Sequence, residues 1–360
     1  MQRRTFVLTA GAAAAAAAAQ SLNEVRLDNG HMRVTLLPSG ARISSVVLAD
    51  DKTGMNPLWD PGPKNNSPAL GHFPCLDGFG SPSPEERAAG FPGHGEAVRC
   101  AFEAQSQSSD LLVLTGTLPL AQERVTRTFR LPKGSNALWV RTKVESLLSI
   151  DRPIAWAEHA TIGSPFLEPR LTVVDVSGTR SQTRPYTAKA QHRLASNREF
   201  TWPNAPLTDG SSVDIRAVPP SPDSGDHTTT VVTGDWAFVS AIHTTKNLLV
   251  AWIWKAADFP WLQNWESYPN TGRLARGLEF STQPFDLPRR QVVQMHRLLD
   301  TPTYRWLPAK STIETEFAMV WTRVPEGFSQ VARISSEGGR IALHDASGRS
   351  VPISAPPAAG

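Results

Sequence analysis

Leu138-Trp139-Val140-Arg141-Thr142-Lys143-Val144-Glu145 places Leu138, Val140, Thr142 and Val144 on one side of an extended chain and Trp139, Arg141, Lys143 and Glu145 on the other. A period of two with one largely apolar face is the pattern of a half-buried antiparallel strand. Ile313, Thr315, Phe317, Met319 and Trp321 repeat it against Glu314 and Glu316. Outward from these two stretches, β-rich runs fall at 32–37, 42–48, 111–116, 125–131, 171–176, 238–243, 248–254 and 292–298. Helical periodicity is confined to a modest stretch at 328–334, after Pro325-Glu326-Gly327. The 30 Pro and 25 Gly are spread along the 360 residues, as turns between many strands require. About thirteen strands are too many for a small sandwich, so the expected fold is all-β, with two large, mainly antiparallel sheets packed together.

The N-terminus is set apart from that domain. Arg3-Arg4-Thr5-Phe6-Val7-Leu8 and the alanine run 12–19 read as an export signal over 1–19: a positive head, a short weakly apolar stretch and small residues for cleavage. Paired arginines before Phe-Val-Leu are the twin-arginine type, so the expected location is periplasmic or extracellular. Residues 20–353 are then expected to form one β domain, with a long surface loop at 203–228, dense in Pro, Asp, Ser and Gly, and a disordered tail at 354–360.

Removal of Arg3 and Arg4 leaves 34 basic residues against 33 acidic ones. A balanced surface without basic runs argues against a nucleic-acid partner, which needs clustered Lys and Arg. After the leader, no apolar stretch is long enough for a membrane span. Cys75 and Cys100 could pair after export or remain two thiols, and two cysteines alone make no structural zinc site. Oligomeric state is not legible.

Three separated segments carry ionisable groups beside small residues: Gly93-His94-Gly95-Glu96-Ala97, Glu158-His159-Ala160-Thr161, and Gly277-Leu278-Glu279-Phe280. Glycines around His94 let a ligand approach ring and backbone closely. No second histidine lies at i+2 to i+4, which makes metal binding there the weaker idea. Glu158 and His159 follow Ile154-Ala155-Trp156-Ala157 on an expected strand, so their side chains point to opposite faces and only one can enter a given cleft. An imidazole suits general acid or base work near neutral pH. Glu279, between apolar Leu278 and Phe280, would turn away from the core if those neighbours are buried.

Trp261, Gln263, Asn264, Trp265, Glu266 and Tyr268 crowd one further segment. Flat sugar faces stack on tryptophan while hydroxyls seek amides and carboxylates, which makes Trp265 and Asn264 candidate sugar contacts, the alternative being ordinary core aromatics. The sequence contains no G-x-S-x-G elbow, H-E-x-x-H helix, P-loop or Gly-rich dinucleotide turn, which disfavours nucleotide cofactors and serine hydrolysis.

In their order and spacing, the segments around His94, His159 and Glu279 resemble the galactose mutarotase-like superfamily, the aldose 1-epimerases and their hexose-6-phosphate epimerase relatives. Gly71-His72-Phe73-Pro74-Cys75, Phe79-Gly80 and His94-Gly95-Glu96-Ala97 also look like the G-G-I-P, F-G and H-G-F-A run of the phosphosugar branch. The resemblance implies a β-supersandwich with one pocket, His159 as acid, Glu279 as base and His94 as the group that orients the sugar. On that reading the ring opens to an aldehyde and recloses as the other anomer, with neither metal nor organic cofactor. Leu70 stands where the phosphosugar branch has arginine, and Arg99 is shifted by one residue from the arginine of the H-G-F-A-R motif. The expected partner is therefore a neutral small-molecule sugar or oligosaccharide end, with Arg99 a candidate contact. Two other readings stay open: a carbohydrate-binding protein without turnover, and a polysaccharide lyase or hydrolase, for which Tyr268 would be the candidate base.

Overall fold

The computed structural model describes residues 24–62, 70–186, 192–220, 225–269 and 271–355. The expected export signal at 1–19 lies outside the described residues, as do 221–224 of the expected loop and 356–360 of the expected tail.

Two large antiparallel sheets carry the fold, one of ten strands and one of eight. The eight-stranded sheet shows what the period-two stretches do. Ala137–Ser146 pairs with Thr312–Arg323 along nine residues, Phe317 opposite Val140 and Met319 opposite Leu138. Leu138, Val140, Val144, Phe317, Met319 and Trp321 face the ten-stranded sheet and join one large core with Trp156, Trp252 and Phe280. Burying a large apolar side chain of this kind contributes roughly 1.5–3 kcal/mol, so this inter-sheet layer is the main source of stability.

Trp139, on the other face of the same strand, is also buried. It packs with Phe238, Ile253 and Val320 beneath a small sheet formed by Arg333–Glu337, Arg340–His344 and Ser350–Ile353, which contributes Ile341, Leu343 and Val351. Farther along the strand that cover ends. There Arg141 and Lys143 meet Glu314 and Glu316 at the surface.

Three expectations need correction. The run 292–298 is not one strand: Arg289–Met295 is helical, preceded by Pro288, with only Val292 buried, and just Arg297–Leu298 at its end pairs as a strand, with Thr301–Pro302. Pro288 stands just before the helix with φ −53° and ψ 144°, and the β preference of the two valines is a weak, context-dependent one that the helix overrides. The stretch 328–334 is not a helix; Phe328 and Val331 are anchors beneath the small sheet, and the Val331 amide donates to Asp175 Oδ2 at 2.9 Å. The segment 203–228 is no simple surface loop. Asn204–Pro206 pairs with Ser212–Asp214, and Ala205, Ile215 and Val218 are buried in the main core.

Among the described residues, no helix is long and apolar enough to cross a membrane. Cys75 and Cys100 are both free thiols.

Candidate active site

Three adjacent strands in the middle of the ten-stranded sheet build the site: His72–Leu76, Trp156–Gly163 and Ala275–Ser281, with Trp261–Ser267 next in line. Pairing sets His159 opposite Phe73 and Gln263 opposite Glu279. Directly opposed residues share a face, so Phe73, His159, Gln263 and Glu279 lie on one side. Glu158, Ala160, Leu262, Leu278 and Phe280 lie on the other, toward the inter-sheet core.

Glu158 and His159 thus part company as alternation requires. The Glu158 carboxylate, wholly buried, accepts from Arg127 Nη1 at 2.8 and 3.0 Å and pairs with His72 Nε2 at 3.0 Å. Trp252 Nε1 donates to His72 Nδ1 at 3.1 Å, which leaves His72 Nε2–H to donate to Glu158. Burial alone would raise the Glu158 carboxyl, but Arg127 and the His72 hydrogen bond outweigh it and hold it below its ordinary value.

On the opposite face, His159 Nε2 and Glu279 Oε1 are 3.0 Å apart. His159 Nδ1 is 3.0 Å from Thr161 Oγ1, and the imidazole stacks on Phe73 with ring centres 4.5 Å apart. Burial pushes the Glu279 carboxyl well above its usual range, reinforced by the negative charge of Asp286 and only partly opposed by Arg184. Burial likewise holds His159 well below its usual value, helped by the charge of the neighbouring histidines. Both shifts favour the uncharged forms of the two groups, which share one hydrogen bond across this contact. Glu158 and Glu279 differ because one has a guanidinium in direct contact and the other has an imidazole and a nearby carboxylate.

Gly277 explains how Glu279 is held. A Cβ on Gly277 would lie 2.2 Å from Glu279 Oε1, so the carboxyl folds back over the space that this glycine leaves empty. His94 is set by a second tight approach. It adopts φ 63°, and Gly95 follows at φ 76° with Leu76 O only 1.9 Å from where a Cβ would sit. The Gly80 amide donates to His94 Nδ1 at 3.4 Å, so Nε2 carries the ring proton. Cys75 Sγ is 3.6 Å from the same Nδ1, and the His94 ring meets His159 edge-on with centres 5.0 Å apart.

These groups line a cavity of about 300 Å³ that also receives Trp59, Phe79, Trp265, His227 and Asp286. That volume is at the small end for ligand pockets. Trp59, Phe79 and Trp265 supply its apolar walls, and the three imidazoles, Thr161, Glu279 and Asp286 supply polar groups. Asp286 forms an ion pair with Arg184. Arg184 Nη1 also donates to His227 Nδ1 at 2.9 Å, leaving His227 Nε2 to donate to Gln263 Oε1 at 2.9 Å.

Of the residues expected from sequence, His94, His159, Glu279 and Trp265 meet at this cavity. Asn264 does not. It faces away, buried, with Oδ1 accepting from Arg276 Nε at 2.7 Å and Nδ2 donating to Glu266 Oε1 at 3.1 Å. Its neighbour Trp265 takes the cavity face, and strand alternation excludes both. Arg99 is exposed at the end of a short 3₁₀ turn, Ala97–Arg99, and does not line the cavity. Tyr268, the candidate lyase base, is buried, and burial raises its hydroxyl above the ordinary value. It does not line the cavity either. Trp59, His227 and Asp286 were not anticipated. Asp286 had a faint signal, a lone acid in Pro284-Phe285-Asp286-Leu287-Pro288 shortly after Glu279. Among the described residues, no group of three or more His, Cys, Asp or Glu side chains is placed to hold a metal ion.

No protein-family model and no curated protein matches the sequence. Solved structures do. The chain is similar to a galactose mutarotase related enzyme from Lactobacillus acidophilus at 15% identity, over 84% of this chain and 99% of that one, with a TM-score of 0.59. A candidate aldose 1-epimerase from Klebsiella pneumoniae matches at 12% identity over 81% and 77% of the two chains, with a TM-score of 0.60. A galactose mutarotase-like protein from Clostridium acetobutylicum matches at 13% over 84% and 95%, with a TM-score of 0.59. At these identities the likeness establishes the fold: this chain has the galactose mutarotase-like fold.

Proposed function

We propose that the protein is a carbohydrate-active enzyme that interconverts the anomers of a sugar by acid and base ring opening. The observation that carries this reading is the His159–Glu279 pair, 3.0 Å apart at an aromatic-walled cavity that includes Trp59 and Trp265. The structures with the same fold that are named for galactose mutarotase and aldose 1-epimerase support the same class of substrate.

Ring opening removes a proton from the anomeric hydroxyl and delivers one to the ring oxygen. A single proton hop from Glu279 to His159 along their contact yields a carboxylate and an imidazolium. The sugar's two oxygens then take up the ends of that contact. Glu279 accepts the anomeric proton, the bond from the anomeric carbon to the ring oxygen breaks as a carbonyl forms, and His159 protonates the ring oxygen. The pair is thereby returned to its resting form. Rotation about one bond and the reverse transfers close the ring on the other face. His94, with its proton on Nε2, donates to a sugar hydroxyl, and the tryptophans support the ring faces. The Arg3-Arg4 leader supports export, and localisation of the protein with and without R3K/R4K tests it.

The deciding experiment follows anomer exchange by NMR or polarimetry on neutral aldoses, with wild type and Glu279→Gln. Exchange above the buffer rate that Glu279→Gln abolishes, with sugar binding retained, supports the enzyme. Binding without exchange by wild type on every aldose leaves a carbohydrate-binding protein instead.

A further inference from the structure

A second and larger cavity, about 650 Å³, adjoins the first and shares His227 and Trp265 with it. The Arg184–Asp286 ion pair also spans the junction, since Asp286 lines the first cavity and Arg184 the second. The two hollows adjoin at these residues as an inner and an outer lobe, and the acid–base pair lines only the inner, smaller one.

The outer lobe is built for contact. Tyr186 and His192 stack face to face, ring centres 3.9 Å apart and 15° from parallel. The Tyr186 hydroxyl is fixed by the backbone of His227, donating to its carbonyl at 3.1 Å and accepting from its amide at 2.7 Å. This aromatic wall is therefore already ordered, and a ligand that uses it loses little by freezing it. Across the lobe, the helix Arg289–Met295 presents Gln291 and Met295, one helical turn apart and hence on one face. Asp226 lies at the base, fully buried. Its Oδ2 accepts from Arg193 Nε at 2.5 Å, while Oδ1 has no donor among the described residues.

Charge narrows the ligand. Both guanidiniums at this lobe are engaged, Arg184 with Asp286 and Arg193 with Asp226. The remaining chemistry is aromatic face, imidazole, thioether and amide, which suits a neutral sugar unit better than a phosphate or sulfate.

We infer that the substrate is a neutral oligosaccharide of at least two units, its reducing-end ring in the lobe of His159 and Glu279 and its next unit in the outer lobe against Tyr186 and Gln291. This inference rests on the anomer-exchange reading for its kinetic test but not for its binding test. Exchange rates are compared by NMR for glucose and galactose against maltose, cellobiose and lactose. At least one disaccharide is expected to exceed its reducing-end monosaccharide in kcat/KM by about tenfold, the effect of one good stacking contact with its hydrogen bonds. Met295→Trp, which fills the outer lobe, should erase that advantage while leaving monosaccharide exchange within about twofold; Gln291→Ala should reduce it in part. Monosaccharides exchanged as well as every disaccharide would overturn the inference and leave the anomer-exchange reading standing, as would a disaccharide advantage that Met295→Trp does not touch. If no sugar exchanges above the buffer rate, the enzyme reading falls and the lobe is judged by calorimetric binding. Tighter disaccharide binding lost in Met295→Trp supports it; equal or absent binding of both sugar sizes sinks it.

Discussion

His159 Nε2 and Glu279 Oε1 share one 3.0 Å contact on strands that are neighbours in the sheet, with no guanidinium hydrogen-bonded to either among the described residues. A base and an acid joined in this way act as one unit, so removal of either should cost most of the activity. Glu279→Gln is expected to lower kcat by about 10²- to 10⁴-fold, with sugar affinity little changed. His159→Gln should cost as much, and the double variant little more than either alone. Clearly additive losses would show that the two residues act independently.

Gly277 gives a cleaner separation of activity from stability. A methyl at this position meets the end of a flexible side chain, 2.2 Å from Glu279 Oε1, rather than backbone. Gly277→Ala should therefore cost little stability but displace the carboxyl by an ångström or so, a shift worth about 10²-fold in rate. Equal thermal midpoints with sharply lower exchange would bear this out; unchanged exchange would mean that the carboxyl position is not critical.

The charge state of the pair has a signature in stability against pH. Glu279 holds its proton well above the ordinary carboxyl range, so its contribution is full below about pH 4.3 and is lost as pH rises through the raised value. His159 is depressed, so its contribution is full above about pH 6.5 and is lost as pH falls through the lowered value. Relative to wild type, Glu279→Gln should gain stability as pH rises and His159→Gln as pH falls. Urea midpoints at several pH values measure both slopes. A pair resting as carboxylate and imidazolium would reverse both signs.

Arg127 stabilises the interior side of the same strand. Replacing it with alanine leaves Glu158 buried beside a neutral histidine, and breaking a buried pair in this way costs roughly 3–5 kcal/mol. Denaturant unfolding reads the loss directly. A change of less than about 1 kcal/mol would mean that water reaches Glu158 in the variant.

Much of this architecture was legible because alternation is a local signal. The faces of 138–145 and 313–321, and the parting of Glu158 and His159 to opposite faces, follow from a period of two and needed no long-range information, whereas the choice of His159 for the cavity came from the resemblance. Ser83-Pro84-Glu85-Glu86 could have been read as a helix start, since Ser83 and Glu86 form a reciprocal cap on Pro84–Ala88. Other features were hidden. Trp139 sits on what reads as the solvent face and is buried only because a distant C-terminal sheet covers it. Asn264 has the chemistry of a sugar contact, but its partner Arg276 is on the next strand and the pairing register decides which way it points. Asp286 and His227 come to the cavity through pairing and ion contacts between segments far apart in sequence, which no local pattern records.

The back-to-back placement of Glu158 and His159 has an implication for how this site can change over time. Insertion or deletion of a single residue within 156–163 would exchange the two, driving an imidazole into the Arg127 socket and presenting a carboxylate to the sugar lobe. A one-residue shift of this strand is opposed by the Arg127–Glu158 ion pair, in an interior that the cleft does not reach.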